Sequence, residues 1–114
     1  MQKPLNLFLS ILLLFLCSSC GGFYKTVKYT VSGTSNHYSV TYSTKDGGTS
    51  QEGNIQNNWT YTFKTSMNEF LYISAQNQLD SGSVTVKIYI NGSLYKTTTS
   101  SGPYVIASAS GPVK

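Results

Sequence analysis

The chain has 114 residues and a formal net charge of +4, from eight lysines and no arginine set against four acidic residues. Surfaces built for nucleic acid cluster their cations and favour arginine for bidentate phosphate contacts, so scattered lysines argue against that partner. They fit solubility and a mild attraction to anionic surfaces, and the length is enough for one domain.

In chain order the first element is an export leader. Lys3 precedes an apolar run over residues 5–16, and then comes Cys17-Ser18-Ser19-Cys20-Gly21-Gly22. The run is shorter than the roughly 20 residues that a membrane-spanning helix takes. Ser18 and Ser19 are small enough for a signal peptidase to reach the bond before Cys20. The segment resembles the lipobox of bacterial lipoproteins, whose cysteine becomes the acylated first residue of the mature chain. Cys17 stands where that pattern usually has leucine. Residues 1–19 are therefore expected to be a signal peptide, Cys20 the lipidation site, and residues 20–25 a lipidated tether. A secretory signal without lipid, a retained anchor, and a redox or zinc-binding C-x-x-C are the competing readings. The last of these lacks a second cysteine pair, and His37 stands alone in a polar stretch, so no metal or cofactor is expected.

From there the pattern has a period of two. Val27, Tyr29 and Val31 alternate with Lys28 and Thr30, and Tyr38, Val40 and Tyr42 with Ser39 and Thr41. Residues 49–55 are polar and make at best an edge strand. Trp59, Tyr61 and Phe63 alternate with Thr60, Thr62 and Lys64, which places Trp59 in the core. Residues 70–75 are apolar on both faces and predict a central strand; Val84, Val86, Ile88 and Ile90 resume the alternation. Asn91-Gly92 predicts a two-residue hairpin, because both residues tolerate positive φ. Residues 104–109, after Pro103, predict a last strand. Short strands at this spacing predict an all-β fold, an immunoglobulin-like antiparallel β-sandwich of seven or eight strands, ahead of a small barrel.

Several stretches resemble the MmpS family of small exported accessory proteins of lipid and siderophore transporters. They are residues 27–33, 40–42, 58–63, 71–77, 82–92 and 107–111, in one order along residues 26–111, with 112–114 left as a tail. The resemblance implies a β-sandwich domain and an accessory role beside an envelope transporter or assembly protein. Mycobacterial members are held by a transmembrane helix and tend to carry a late cysteine pair, where this chain has a lipobox and Val86 and Ser108.

No catalytic pattern emerges. His37 is the lone imidazole, Asp46 and Asp80 occupy turn signals, and Glu52 and Glu69 have no paired acid in the sequence. Tyr89 and Tyr95 flank the Asn91-Gly92 hairpin, on faces opposite Ile88 and Leu94, and form the candidate interaction surface. The function expected is that of a non-enzymatic, lipid-anchored envelope protein, an interaction or accessory module for membrane transport or envelope assembly. Its partners would be the membrane, through acylated Cys20, and an envelope protein, with no nucleic acid. A lipoprotein that binds a small ligand or glycan through strand-face tyrosines is the alternative. In a Gram-negative cell Gly21 after Cys20 is compatible with the outer membrane, since aspartate there is the usual retention signal.

Overall fold

The computed structural model describes residues 24–45 and 47–114. Cys17, Cys20 and Asp46 lie outside the described residues, so the leader and the lipidation site remain expectations from the sequence. Eight strands run in order: β1 (Tyr24–Ser32), β2 (Tyr38–Ser43), β3 (Thr49–Ile55), β4 (Trp59–Ser66), β5 (Phe70–Asn77), β6 (Ser83–Ile90), β7 (Ser93–Ser101) and β8 (Ile106–Pro112). They form two four-stranded sheets, β4-β1-β6-β7 and β3-β2-β5-β8, with every neighbouring pair antiparallel. Only β2–β3 and β6–β7 are hairpins; the other connections carry the chain from one sheet to the other. With β1 beside β4 in one sheet and β2 beside β5 in the other, this is an immunoglobulin-like β-sandwich.

The alternation sets the faces. Val27, Tyr29 and Val31 of β1 stand beside Ile90, Ile88 and Val86 of β6, and beside Phe63, Tyr61 and Trp59 of β4. The opposite sheet contributes Tyr38, Val40 and Tyr42 from β2, Leu71, Ile73 and Ala75 from β5, and Ala107 and Ala109 from β8. Most of these side chains are fully buried, and each large aliphatic one removed from water contributes about 1.5–3 kcal/mol. The outward rows of the first sheet are mostly threonine and lysine, as in Thr60–Thr30–Lys87, with Tyr89 ending the row Thr62–Lys28–Tyr89.

Turns fall where the small and amide residues are. Asn91 (φ 50°) and Gly92 (φ 83°) make the β6–β7 turn, with the Asn91 side chain accepting from the Thr26 N–H at 2.9 Å. Asn54 (φ 57°) lies at a bulge in β3, where Tyr38 pairs with Ile55 and Val40 with Glu52. The fold also runs further than residues 26–111. Strand β1 begins at Tyr24, and Val113 is buried, its N–H donating to the Glu69 carbonyl at 2.8 Å.

The strand axes give the sandwich two ends. The base holds the start of β1, loops 44–48 and 67–69, the turn at Asn91-Gly92 and the end of β8. The apex holds loops 33–37, 56–58, 78–82 and 102–105.

Candidate interaction surface

The surface expected around Tyr89 and Tyr95 is divided by the register of the β6–β7 hairpin. Tyr89 pairs with Leu94, so those two share the outer face and Tyr95, the next residue of β7, turns inward; Ile88 then pairs with Lys96, which makes Tyr95 the extra residue of a bulge. Tyr89 remains on the outer face, half-buried beneath the Lys28 ammonium, which lies 4.7 Å from its ring centroid. Tyr95 instead packs against the core and donates its hydroxyl to the Pro112 carbonyl at 2.7 Å. It lies over Gly111, where an added Cβ would come within 2.6 Å of that hydroxyl, so the absence of a side chain at 111 lets β7 and β8 close on each other. The placement of Tyr95 beside Tyr89 is thus corrected. The exposed apolar neighbour of Tyr89 is Leu94, 52% accessible.

The apex presents a surface that the sequence did not single out. Leu79, Tyr104 and Ile106 are large apolar residues at 38%, 55% and 55% accessibility. Tyr104 has φ 54°, the left-handed region that a bulky residue seldom enters. It follows Pro103, at a position where such turns usually place glycine or asparagine. Its N–H donates to the Leu79 carbonyl at 3.0 Å and its carbonyl accepts from the Gln76 amide at 3.0 Å, which ties loop 102–105 to loop 78–82 and β5. Backbone conformations of this kind persist where their surroundings enforce them, and they concentrate at binding surfaces.

Asn77 does that enforcing. Fully buried at the end of β5, its amide nitrogen donates to the Ser81 and Gly102 carbonyls, both at 3.0 Å, and its side-chain oxygen accepts from the Leu79 N–H at 3.0 Å. Its own N–H donates to the Val105 carbonyl at 2.9 Å. One buried amide therefore fixes both loops that carry Leu79 and Tyr104.

A second feature lies along the side between β3 and β4. Tyr29, Tyr42, Trp59, Tyr61 and Phe63 form a continuous aromatic wall, with Tyr42 4.7 Å from Tyr61 and 5.1 Å from Trp59 between centroids. Trp59, expected in the core, packs against it while remaining half-exposed, as does Tyr61. Tyr42 donates to the Glu52 carboxylate at 2.7 Å, and Tyr29 shares a 2.6 Å hydrogen bond with Ser43. Glu52 is exposed on its edge strand, where a charge discourages strand pairing with another chain.

Burial pushes the Tyr29 and Tyr42 phenols above their ordinary value of 10.0, and the Glu52 carboxylate raises Tyr42 further. A phenol raised by folding gives stability that is whole below the unfolded value and is lost as pH rises through the folded one. Alkaline titration of tyrosinate absorbance should therefore show Tyr29 and Tyr42 ionising late, with urea midpoints falling as the pH climbs past 10.0. Substituting Tyr29→Phe should flatten that slope; an unchanged slope would contradict the assignment.

Of the polar candidates, His37 is exposed in loop 33–37, Asp80 is exposed in loop 78–82, and Glu69 sits at the base. Among the described residues no three of His, Cys, Asp and Glu come together as metal ligands. Compared with known proteins, the chain matches no family model and none of the curated proteins.

Proposed function

We propose that the protein is a non-enzymatic interaction module of the cell envelope, lipid-anchored at Cys20 and relating to envelope transport or assembly as the MmpS-type accessory domains do. In a Gram-negative cell its site is the outer membrane. The observation that carries this reading is the apex, with Leu79 and Tyr104 exposed on loops held by the buried Asn77 and Ile106 exposed at the start of β8 beside them. An aromatic residue held in one conformation contributes contact area with little ordering cost on binding, which suits an anchor for a protein partner. The absence of lysine from loops 33–37, 56–58, 78–82 and 102–105 also favours an apolar protein surface over an anionic one.

A photo-reactive residue placed at Tyr104 in cells should give a discrete protein adduct, while one at Thr62, on the outer face of the first sheet, should not. The double substitution Tyr104→Ser with Ile106→Ser should remove binding of the cross-linked partner while leaving the urea midpoint nearly unchanged. Equal adducts at both positions would defeat the assignment of the apex.

The aromatic wall supports the second reading, binding of a glycan or small ligand, because half-exposed Trp59 and Tyr61 stack on each other beside Tyr42, whose hydroxyl donates to the Glu52 carboxylate. Trp59 is the chain's single tryptophan, so its fluorescence reports on that wall directly. Saturable quenching of Trp59 by an oligosaccharide, with no protein adduct at Tyr104, would favour this second reading.

A further inference from the structure

We infer that the base of the sandwich docks on an anionic lipid surface, standing the domain upright with its apex pointing away from the membrane. The inference rests on the proposed anchoring at Cys20 and adds a second, non-covalent contact to it.

Three features converge on that end. The first is length. Only residues 21–23 separate Cys20 from the first residue of β1, Tyr24. At about 3.3–3.6 Å per residue, four steps reach at most about 14 Å. An acylated Cys20 therefore holds the base against the headgroup layer, and β4, rising about 3.3 Å per residue, carries the apex a further ~23 Å away.

The second is charge. Lysines scattered in the sequence are gathered by the topology. Lys25 and Lys64 lie at the base ends of β1 and β4, Lys45 in loop 44–48 and Lys114 beyond β8, whereas the four apex loops hold none. Lys28, Lys87 and Lys96 lie along the strands between. Among the described residues the acid at the base is Glu69, so the lysines outnumber it; Asp46 lies outside the described residues. Lysines beside an anionic surface are attracted over about a Debye length, the range to which this short tether confines them.

The third is apolar exposure at the same end. Tyr24 is 60% accessible, Phe70 61% and Met67 41%. Tyr24 pairs with Ser66 in one sheet, Phe70 pairs with Pro112 in the other, and Met67 lies in the loop that joins β4 to β5. They stand around the rim instead of forming one face. Aromatic rings with lysines beside them match the bilayer interface, where the rings sit among headgroups and the ammonium groups reach toward phosphate. The apex also exposes apolar side chains, but it has neither the lysines nor the tether.

The test uses the full mature lipoprotein, reconstituted into phosphatidylcholine vesicles with or without phosphatidylglycerol. Single cysteines at Phe70→Cys (base) and Asp80→Cys (apex) carry an environment-sensitive dye, and lipids with a quencher near the headgroup report its depth. Both positions are exposed, so neither substitution opens the core. Quenching at residue 70 should exceed that at residue 80 several-fold, should increase with phosphatidylglycerol, and should fall in the Lys64→Glu, Lys114→Glu background. Equal quenching at the two positions, or none at residue 70, would overturn docking while acyl labelling that disappears in Cys20→Ser leaves the anchor standing. A protein adduct from a photo-reactive group at residue 70, without lipid quenching, would overturn it in favour of a protein partner. Acyl label that survives Cys20→Ser would remove the tether, and the inference with it.

Discussion

Tyr29→Ala is expected to cost on the order of 3–5 kcal/mol, among the largest effects of any single truncation in this domain. Tyr29 is fully buried on β1, with Tyr61 beside it on β4 and Ile88 beside it on β6. Its ring centroid lies 5.4 Å from Phe63 and 6.0 Å from Tyr42 of the opposite sheet, so its loss opens a cavity where the two sheets meet. The hydroxyl adds a further link, since Ser43 Oγ shares a hydrogen bond with Tyr29 and accepts from the Tyr72 N–H at 3.0 Å. Tyr29→Phe deletes only that link and should cost about 1 kcal/mol. Trp59→Ala removes a larger side chain but a half-exposed one, and should cost less than Tyr29→Ala. Urea unfolding of the three variants, compared at equal m-value, gives the ranking. If Trp59→Ala proved the most damaging, the core would be centred on the β4 edge instead of on β1.

That ranking differs from the one the sequence suggests, for a physical reason. Alternation in residues 59–63 tells which side chains turn inward, but not whether their strand is central or at an edge. β4 proves to be an edge strand of its sheet and β1 an interior one. Tyr95 is a different case. Counting outward from Asn91-Gly92 sets Ile90 against Ser93 and Tyr89 against Leu94, which already turns Tyr95 inward, and the bulge reverses parity only beyond it. The count of seven or eight strands, the polar edge at β3 and the Asn91-Gly92 hairpin were legible because each depends on local alternation or turn chemistry; β7 followed only from the hairpin, since residues 93–101 show no clear alternation. The apex and the base were not, because each is made of loops distant in sequence that only the crossing connections bring together. Pro103-Tyr104 reads as the start of a strand, since nothing local announces that a tyrosine will take positive φ. The signal is Asn77, an amide at the end of a largely apolar strand that also holds Ser74 and Gln76, and its meaning depends on burial that only the fold reveals.

Asn77→Ala should accordingly cost on the order of 3 kcal/mol, although asparagine carries little apolar surface, because a buried donor or acceptor left unpaired costs about 1–3 kcal/mol. The substitution orphans three groups together, the Ser81 and Gly102 carbonyls and the Leu79 N–H, in a site closed to solvent. Part of that loss should be recovered by water entering the space, so the loops loosen before the sandwich melts. Hydrogen exchange should accelerate at Leu79 and Tyr104, whose backbone groups are bonded to each other, while the N–H groups of β1 and β6 stay protected. Asn77→Asp separates shape from hydrogen bonding. A carboxylate there can still accept from Leu79 but cannot donate to either carbonyl, and burial beside those oxygens pushes its proton affinity up. Protonation restores one donor, so this variant should regain stability as the pH falls through the raised value, while Asn77→Ala shows no such recovery. The apex contact obeys the same order, because the positions of Leu79 and Tyr104 depend on the loops that Asn77 joins. If Asn77→Ala kept full partner cross-linking at Tyr104 with an unchanged urea midpoint, the apex would not be organised by this side chain, and its exposed apolar residues would lose their claim to be a built surface.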